Sequence, residues 1–143
     1  MAAISRAEAV WKGDLTSGSG SVKPGSEAFD ELPVSWASRV ESQHGKTSPE
    51  ELIAAAHAAC YCMAFSNGLS KAGHKVEELT TTAEVEFVPG SGITSSTLTV
   101  RGRVAGIDDA EFQRLAAEAK DGCPVSKALH GNVKLNLEAR LES

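Results

Sequence analysis

At 143 residues and 41% hydrophobic, the chain has the size of one domain and enough apolar side chains for a core that needs no disulfide staples. Its formal net charge is -5, with the lysines and arginines scattered rather than clustered, which excludes a surface built to track nucleic-acid phosphates.

In chain order, AEAVWKG and GSGSVKP have the character of short strands joined by a Gly/Ser turn. Residues Leu32 to Glu41, LPVSWASRVE, are expected to be extended and to end in the loop SQHGKT. The stretch SPEELIAAAHAACYCMAFS is expected to form a helix, with Ser48 as N-cap, Pro49 at the first helical position and Glu51 completing a capping box. That helix should run to about Ala72 and stop at Gly73. VEELTTTAEVEFV and ITSSTLTVRGRV alternate as strands and, separated by PGSG, pair as a hairpin. IDDAEFQRLAAEAKDG predicts an amphipathic helix capped by Asp108, CPVSKALHG a short helix from Pro124, and NVKLNLEARLE a final strand. This order predicts an α+β fold, a single domain over 1–143, with helices against one face of a largely antiparallel sheet.

The opening MAAISRAEAVWKG places Arg6, Glu8 and Lys12 where an export signal needs an apolar stretch. The longest apolar run, Leu52 to Phe65, contains His57 and falls short of the roughly 20 residues that span a bilayer. A soluble cytoplasmic protein without membrane or nucleic-acid partners is therefore expected, and there three cysteines are free thiols rather than structural bridges.

Two of the three lie in the alanine-rich helix. Cys60 and Cys62 are two residues apart, so their side chains point about 200° away from each other and cannot bond together. No second pair follows at zinc-finger spacing, and the four histidines are dispersed. Cys62 is expected to be a small inert core residue. Cys123, in DGCPVS immediately before a helix, is the more acidic thiol on local grounds, because first-turn N–H groups favour a thiolate. Cys60 lies mid-helix and needs a cation from elsewhere, for which Arg39 is the candidate. His57, three residues earlier, is the competing activator or else a packed, hydrogen-bonded histidine. Glu50 and Glu51 also suit the helix N-terminus as acids that favour its dipole.

SPEELIAAAHAACYCMAFS resembles the thiol-bearing helix of the OsmC/Ohr family of thiol-dependent hydroperoxide reductases. GCPVSKAL resembles the family's second cysteine motif, and SRVES its arginine segment. Because SGSGSV contains no arginine and Arg39 lies shortly before the helix, the resemblance is to the OsmC branch. It implies a largely antiparallel sheet packed on a long central helix, in an intertwined homodimer. It also implies Cys60 as peroxidatic thiol, Cys123 as resolving thiol, Arg39 as activating cation and Glu50 as the carboxylate that orients it. The implied reaction reduces organic hydroperoxides, and hydrogen peroxide less efficiently, through a Cys60 sulfenic acid and a Cys60–Cys123 disulfide that an external dithiol reopens. No metal, flavin or haem is called for, and Trp36, Tyr61 and Phe65 are candidates for an apolar substrate wall. Two other readings are a non-catalytic protein binding a hydrophobic ligand and a Cys60/His57 hydrolase.

Glu50 and Cys60 are about 15 Å apart along a single helix. A two-fold crossing of two such helices near Ala55 would bring Glu50 of one chain towards Cys60 of the other, which predicts a homodimer with shared sites.

Overall fold

The computed structural model describes residues 2–41 and 43–142 and divides into two compact units, Met1–Leu52 and Ile53–Ser143. In the first, β1 (Ala7–Lys12), β2 (Ser19–Pro24) and β3 (Leu32–Val34) form an antiparallel sheet in that order, with Ala9 opposite Val22 and Val22 opposite Leu32. The expected extended segment 32–41 is only partly extended: after β3 the chain turns into α1 (Trp36–Val40). The reason is a capping box between two serines. Ser35 Oγ accepts from the Ser38 N–H, and Ser38 Oγ accepts from the Ser35 N–H, so a sequence without an acid at the fourth position still opens a helical turn. Ser42, the first residue of the expected loop, lies outside the described residues.

The loop after α1 is tied down where Ser38 Oγ donates to the Thr47 carbonyl at 2.8 Å and the Thr47 N–H donates to the Pro33 carbonyl at 2.9 Å. Helix α2 (Pro49–Lys71) follows. Ser48 caps it as expected, accepting from the Glu51 N–H at 3.1 Å, but the reciprocal half of the box is missing: Glu51 instead takes the Thr47 hydroxyl at 2.7 Å. At its far end Gly73 adopts φ +90°, and the His74 N–H reaches back to the Leu69 carbonyl, closing the last turn.

In the second unit β4 (Lys75–Val88) and β5 (Gly92–Ala105) form the expected hairpin, and α3 (Asp109–Gly122) and α4 (Pro124–Leu129) lead to β6 (Lys134–Glu142). The sheet order is β4-β5-β6. The pairing is largely antiparallel as expected, but the expectation of one sheet needs correction: the described residues form two three-stranded sheets, and β6 lies parallel to β5, with Leu98 opposite Leu137. Two helices between β5 and β6 supply the long crossover that parallel pairing requires.

Alternate residues of β5, Ser96, Leu98, Val100, Gly102 and Val104, are buried. Against them lie Tyr61, Phe65 and Leu69 of α2 and Phe112, Leu115, Ala116 and Ala119 of α3, forming the core. The Phe65 ring meets Phe112 at 5.1 Å and Tyr61 at 5.7 Å between ring centroids, both pairs tilted. Gly102 lets the Phe112 ring approach: a β-carbon there would lie 2.8 Å from the ring. By length and composition alone α2 could cross a bilayer, with mean hydropathy 1.3 over its best 18 residues; here it packs its aromatic side chains into this core.

Candidate active site

The four candidate residues fall into two pairs, one in each unit. In the first, Arg39 ends α1 and Glu50 opens α2. Arg39 Nε donates to both carboxylate oxygens of Glu50, at 3.1 and 3.2 Å, and Nη2 donates to Oε2 at 3.1 Å. Glu50 is buried, its side chain 6% exposed against 34% for Arg39, so the fork holds the carboxylate inside. Of the two adjacent acids it is Glu50 that receives the arginine; Glu51 is exposed and bonds Thr47.

In the second unit α2 carries Cys60, and the turn between α3 and α4 carries Cys123. The two thiols lie close enough to shift each other's ionisation. All three cysteines are free; Cys123 is fully buried and Cys60 half-buried. Burial pushes the Cys60 thiol up, the nearby Cys123 adds to this, and the Val125 N–H opposes it. Burial also works against ionisation of Cys123, but the Cys60 thiol, the N–H and hydroxyl of Ser126 and the Val125 N–H outweigh it, and the Cys123 thiol lies below its ordinary value. Cys123 is thus the more acidic of the pair, as its place before α4 suggested. Cys62 points elsewhere: its Sγ contacts Thr81 Oγ1 of β4 at 3.0 Å.

His57 is fully buried with both ring nitrogens engaged, Nδ1 with Ser96 Oγ at 2.7 Å and Nε2 with Ser126 Oγ at 2.8 Å. Burial lowers its pKa, so the ring is neutral at pH 7. The expected choice between direct partner of Cys60 and packed histidine goes to the second. Ser96 and Ser126 were missed in the sequence. Their signals were a serine on the core-facing register of a strand and a serine three residues after a helix-opening cysteine. The aromatic wall also needs correction: Tyr61 and Phe65 are fully buried, and the Tyr61 hydroxyl donates to the Ala116 carbonyl at 2.9 Å. Among the described residues no three His, Cys, Asp or Glu side chains converge as a metal-ligand set.

A family model described as OsmC-like protein matches residues 42–138. Peroxiredoxin OsmC of Escherichia coli (strain K12) is 38% identical over 138 residues, covering 94% of this chain and 96% of that protein. Organic hydroperoxide resistance protein OhrA of Bacillus subtilis (strain 168) is 33% identical over 104 residues, 70% of this chain and 72% of that protein. Among solved structures, an organic hydroperoxide resistance protein OsmC from Legionella pneumophila superposes with a TM-score of 0.71 at 26% identity, over 97% of this chain and 99% of that one.

Proposed function

The chain belongs to the OsmC-like protein family, and on that premise we propose that it is a cytoplasmic thiol peroxidase, a single domain over 1–143, that reduces organic hydroperoxides and, less efficiently, hydrogen peroxide. The observation that carries the reading is the nearness of Cys60 and Cys123: two free thiols from distant parts of the chain lie close enough to shift each other's ionisation. In this reading Cys60, the half-exposed member, meets the substrate and the fully buried Cys123 resolves; their difference in burial supports the assignment. A Cys60 thiolate attacks the distal peroxide oxygen and becomes a sulfenic acid. Cys123 condenses with it to a disulfide, which an external dithiol reopens. Arg39, oriented by Glu50, stabilises the Cys60 thiolate and the charge developing on the leaving oxygen.

The active form in this reading is an intertwined homodimer, packed on the long α2 helices, whose sites combine the Arg39–Glu50 pair of one chain with the thiols of the other. Two observations support it. The small residues Ala55, Ala56 and Ala59, with Met63 at 74% exposure, lie open along α2, as a close helix crossing would need. Ile4, Val10, Trp11 and Phe29 of the first unit are exposed as well.

Purified protein should turn over cumene hydroperoxide faster than hydrogen peroxide when dithiothreitol is supplied, and consume about one equivalent without it. Absence of a Cys60–Cys123 disulfide by intact and peptide mass after one equivalent of peroxide would sink the two-cysteine reading, and absence of any consumption would leave the ligand-binding alternative. Co-refolding Cys60→Ser with Glu50→Ala chains should restore activity above either parent; heterodimers as inactive as the parents would exclude the shared site.

A further inference from the structure

The last helix of the second unit is anchored by a polar side chain. Helix α4 has six residues, too few to hold helical shape alone, and the side chain it buries is Ser126, 1% exposed. The Ser126 hydroxyl meets Nε2 of His57 on α2 at 2.8 Å, and the other ring nitrogen, Nδ1, meets Ser96 Oγ on β5 at 2.7 Å. A neutral imidazole donates at one nitrogen and accepts at the other, and a hydroxyl can do either, so both bonds are made with the ring uncharged. His57 and Ser96 are fully buried, and in so dry a place a satisfied polar line holds the elements it joins in one arrangement. Cys60 and Cys123 each sit one turn from this line. Cys60 follows His57 by three residues, about 4.5 Å along the α2 axis and about 60° round it. Cys123 precedes Ser126 by three residues as the N-cap of α4, and its carbonyl accepts from the Lys127 N–H at 3.0 Å, so it moves with the first turn of that helix. On its other side Cys123 closes α3, its N–H on the Ala119 carbonyl at 2.9 Å. Helix α3 thus fixes where the turn begins, and the His57–Ser126 bond fixes the direction in which it leaves.

We propose that His57 is a positioning residue for the second half of the reaction: its bond to Ser126 docks α4 on α2 and so holds the Cys123 sulfur within reach of the Cys60 sulfur. This role rests on the peroxidase reading above and concerns the resolution of the Cys60 sulfenic acid. There the Cys123 sulfur attacks the Cys60 sulfur; the S–S bond forms, the S–O bond breaks, and the hydroxyl leaves with the Cys123 proton as water. The competing fate needs a second peroxide. The sulfenic sulfur then attacks ROOH, a new S–O bond forms, the O–O bond breaks, and ROH departs, leaving a sulfinic acid and no disulfide. The first path is unimolecular and depends on how well Cys123 is placed; the second grows with peroxide concentration. A displacement of about 1 Å can slow a step of the first kind by about 10²-fold. Without the Ser126 bond, α4 would be held by Val125 and Leu129, both only partly buried, and the sulfenic acid would live long enough to meet the second peroxide.

The test uses full-length Cys62→Ser protein, in which only the two site thiols remain, and compares two amides. His57→Gln carries its amide to the Nε2 position and can keep the Ser126 bond; His57→Asn carries it to the Nδ1 position and keeps only the Ser96 bond. After stepwise addition of cumene hydroperoxide, peptide mass gives the ratio of Cys60 sulfinic acid to Cys60–Cys123 disulfide. That ratio should rise about tenfold or more in His57→Asn and Ser126→Ala, and stay near the parent value in His57→Gln. Tyr61→Phe, which removes a different buried hydrogen bond of α2, to the Ala116 carbonyl, should leave the ratio where it is. The equilibrium constant of the disulfide against reduced and oxidised glutathione should fall about tenfold in His57→Asn and Ser126→Ala, because less of the Cys123 thiol is held at Cys60. Either quantity unchanged in folded Ser126→Ala overturns the proposal, as does a shift in His57→Gln or Tyr61→Phe as large as that in His57→Asn. If His57→Asn does not fold, Ser126→Ala decides. A parent protein that consumes no peroxide, with the glutathione constants ordered as expected, would instead overturn the peroxidase reading and leave the positioning role standing.

Discussion

The two units bury opposite kinds of side chain. In the first, the buried residues are Ser38, Thr47, Ser48 and Glu50, all polar, while Val10, Trp11, Leu15 and Phe29 face solvent. In the second, ten apolar residues from Tyr61 to Ala119 form one cluster, and its buried polar groups, His57, Ser96 and Ser126, are all hydrogen-bonded. Hydrophobic burial therefore holds the second unit together, whereas hydrogen bonds and the Arg39–Glu50 pair shape the buried part of the first. The difference matches the division of labour proposed for the site: a firm core sets the geometry of two thiols, and a polar arm presents a cation.

The largest effect expected from this contrast is in the core. Phe112→Ala removes the ring that meets Phe65 and fills the space over Gly102, and should cost about 3–5 kcal/mol in chemical denaturation. A loss well below this would mean that the cluster is not what holds the second unit.

Arg39→Met acts on the polar arm. Peroxide reduction should fall about 10²–10³-fold, the scale of removing one donor from a developing charge. The variant also leaves buried Glu50 unpaired, so adding Glu50→Gln should recover stability without recovering activity. Near-normal turnover in Arg39→Met would take the cation out of the mechanism.

A smaller, pH-dependent difference should separate the units. The folded-state pKa of His57 is depressed below the ordinary 6.5 by burial, whereas the unfolded chain protonates near that value. Its contribution to stability is therefore complete above pH 6.5 and is lost as pH falls below it, through the folded value. Denaturation midpoints followed from pH 7.5 to 5 should drop on the acid side, and less so in His57→Gln. A flat profile would mean that the ring is not held neutral.

Least of all is expected from the other ion pair of the first unit. Lys23 and Glu8 approach only to 3.9 Å with both side chains more than half exposed, so Lys23→Ala should leave stability and turnover unchanged within error, in contrast to Arg39.

Much of this was legible before folding was considered. The β4–β5 hairpin, the Asp108 cap of α3, the start of α4 at Pro124 and the stop at Gly73 all follow from signals within a few residues of where they act. The acidity of Cys123 follows only in part: Cys60, distant in the chain, lowers it most, and the N–H groups immediately after it add to this. The helix at Trp36 has no such signal, because its cap is a serine pair rather than the acid-closed box, and Glu51 leaves the Ser48 box because the Thr47 hydroxyl competes for it.

The sequence by itself determined the elements, their order and the candidate thiols, because propensity, capping and alternation are local and each is encoded where it acts. Only the tertiary structure decided that β6 runs parallel to β5 and that His57 serves two serines rather than Cys60. Each of these joins groups brought together by packing. Ser96 and Ser126 are 39 and 69 residues from His57 along the chain, and no local rule connects residues at that separation until the core has closed around them.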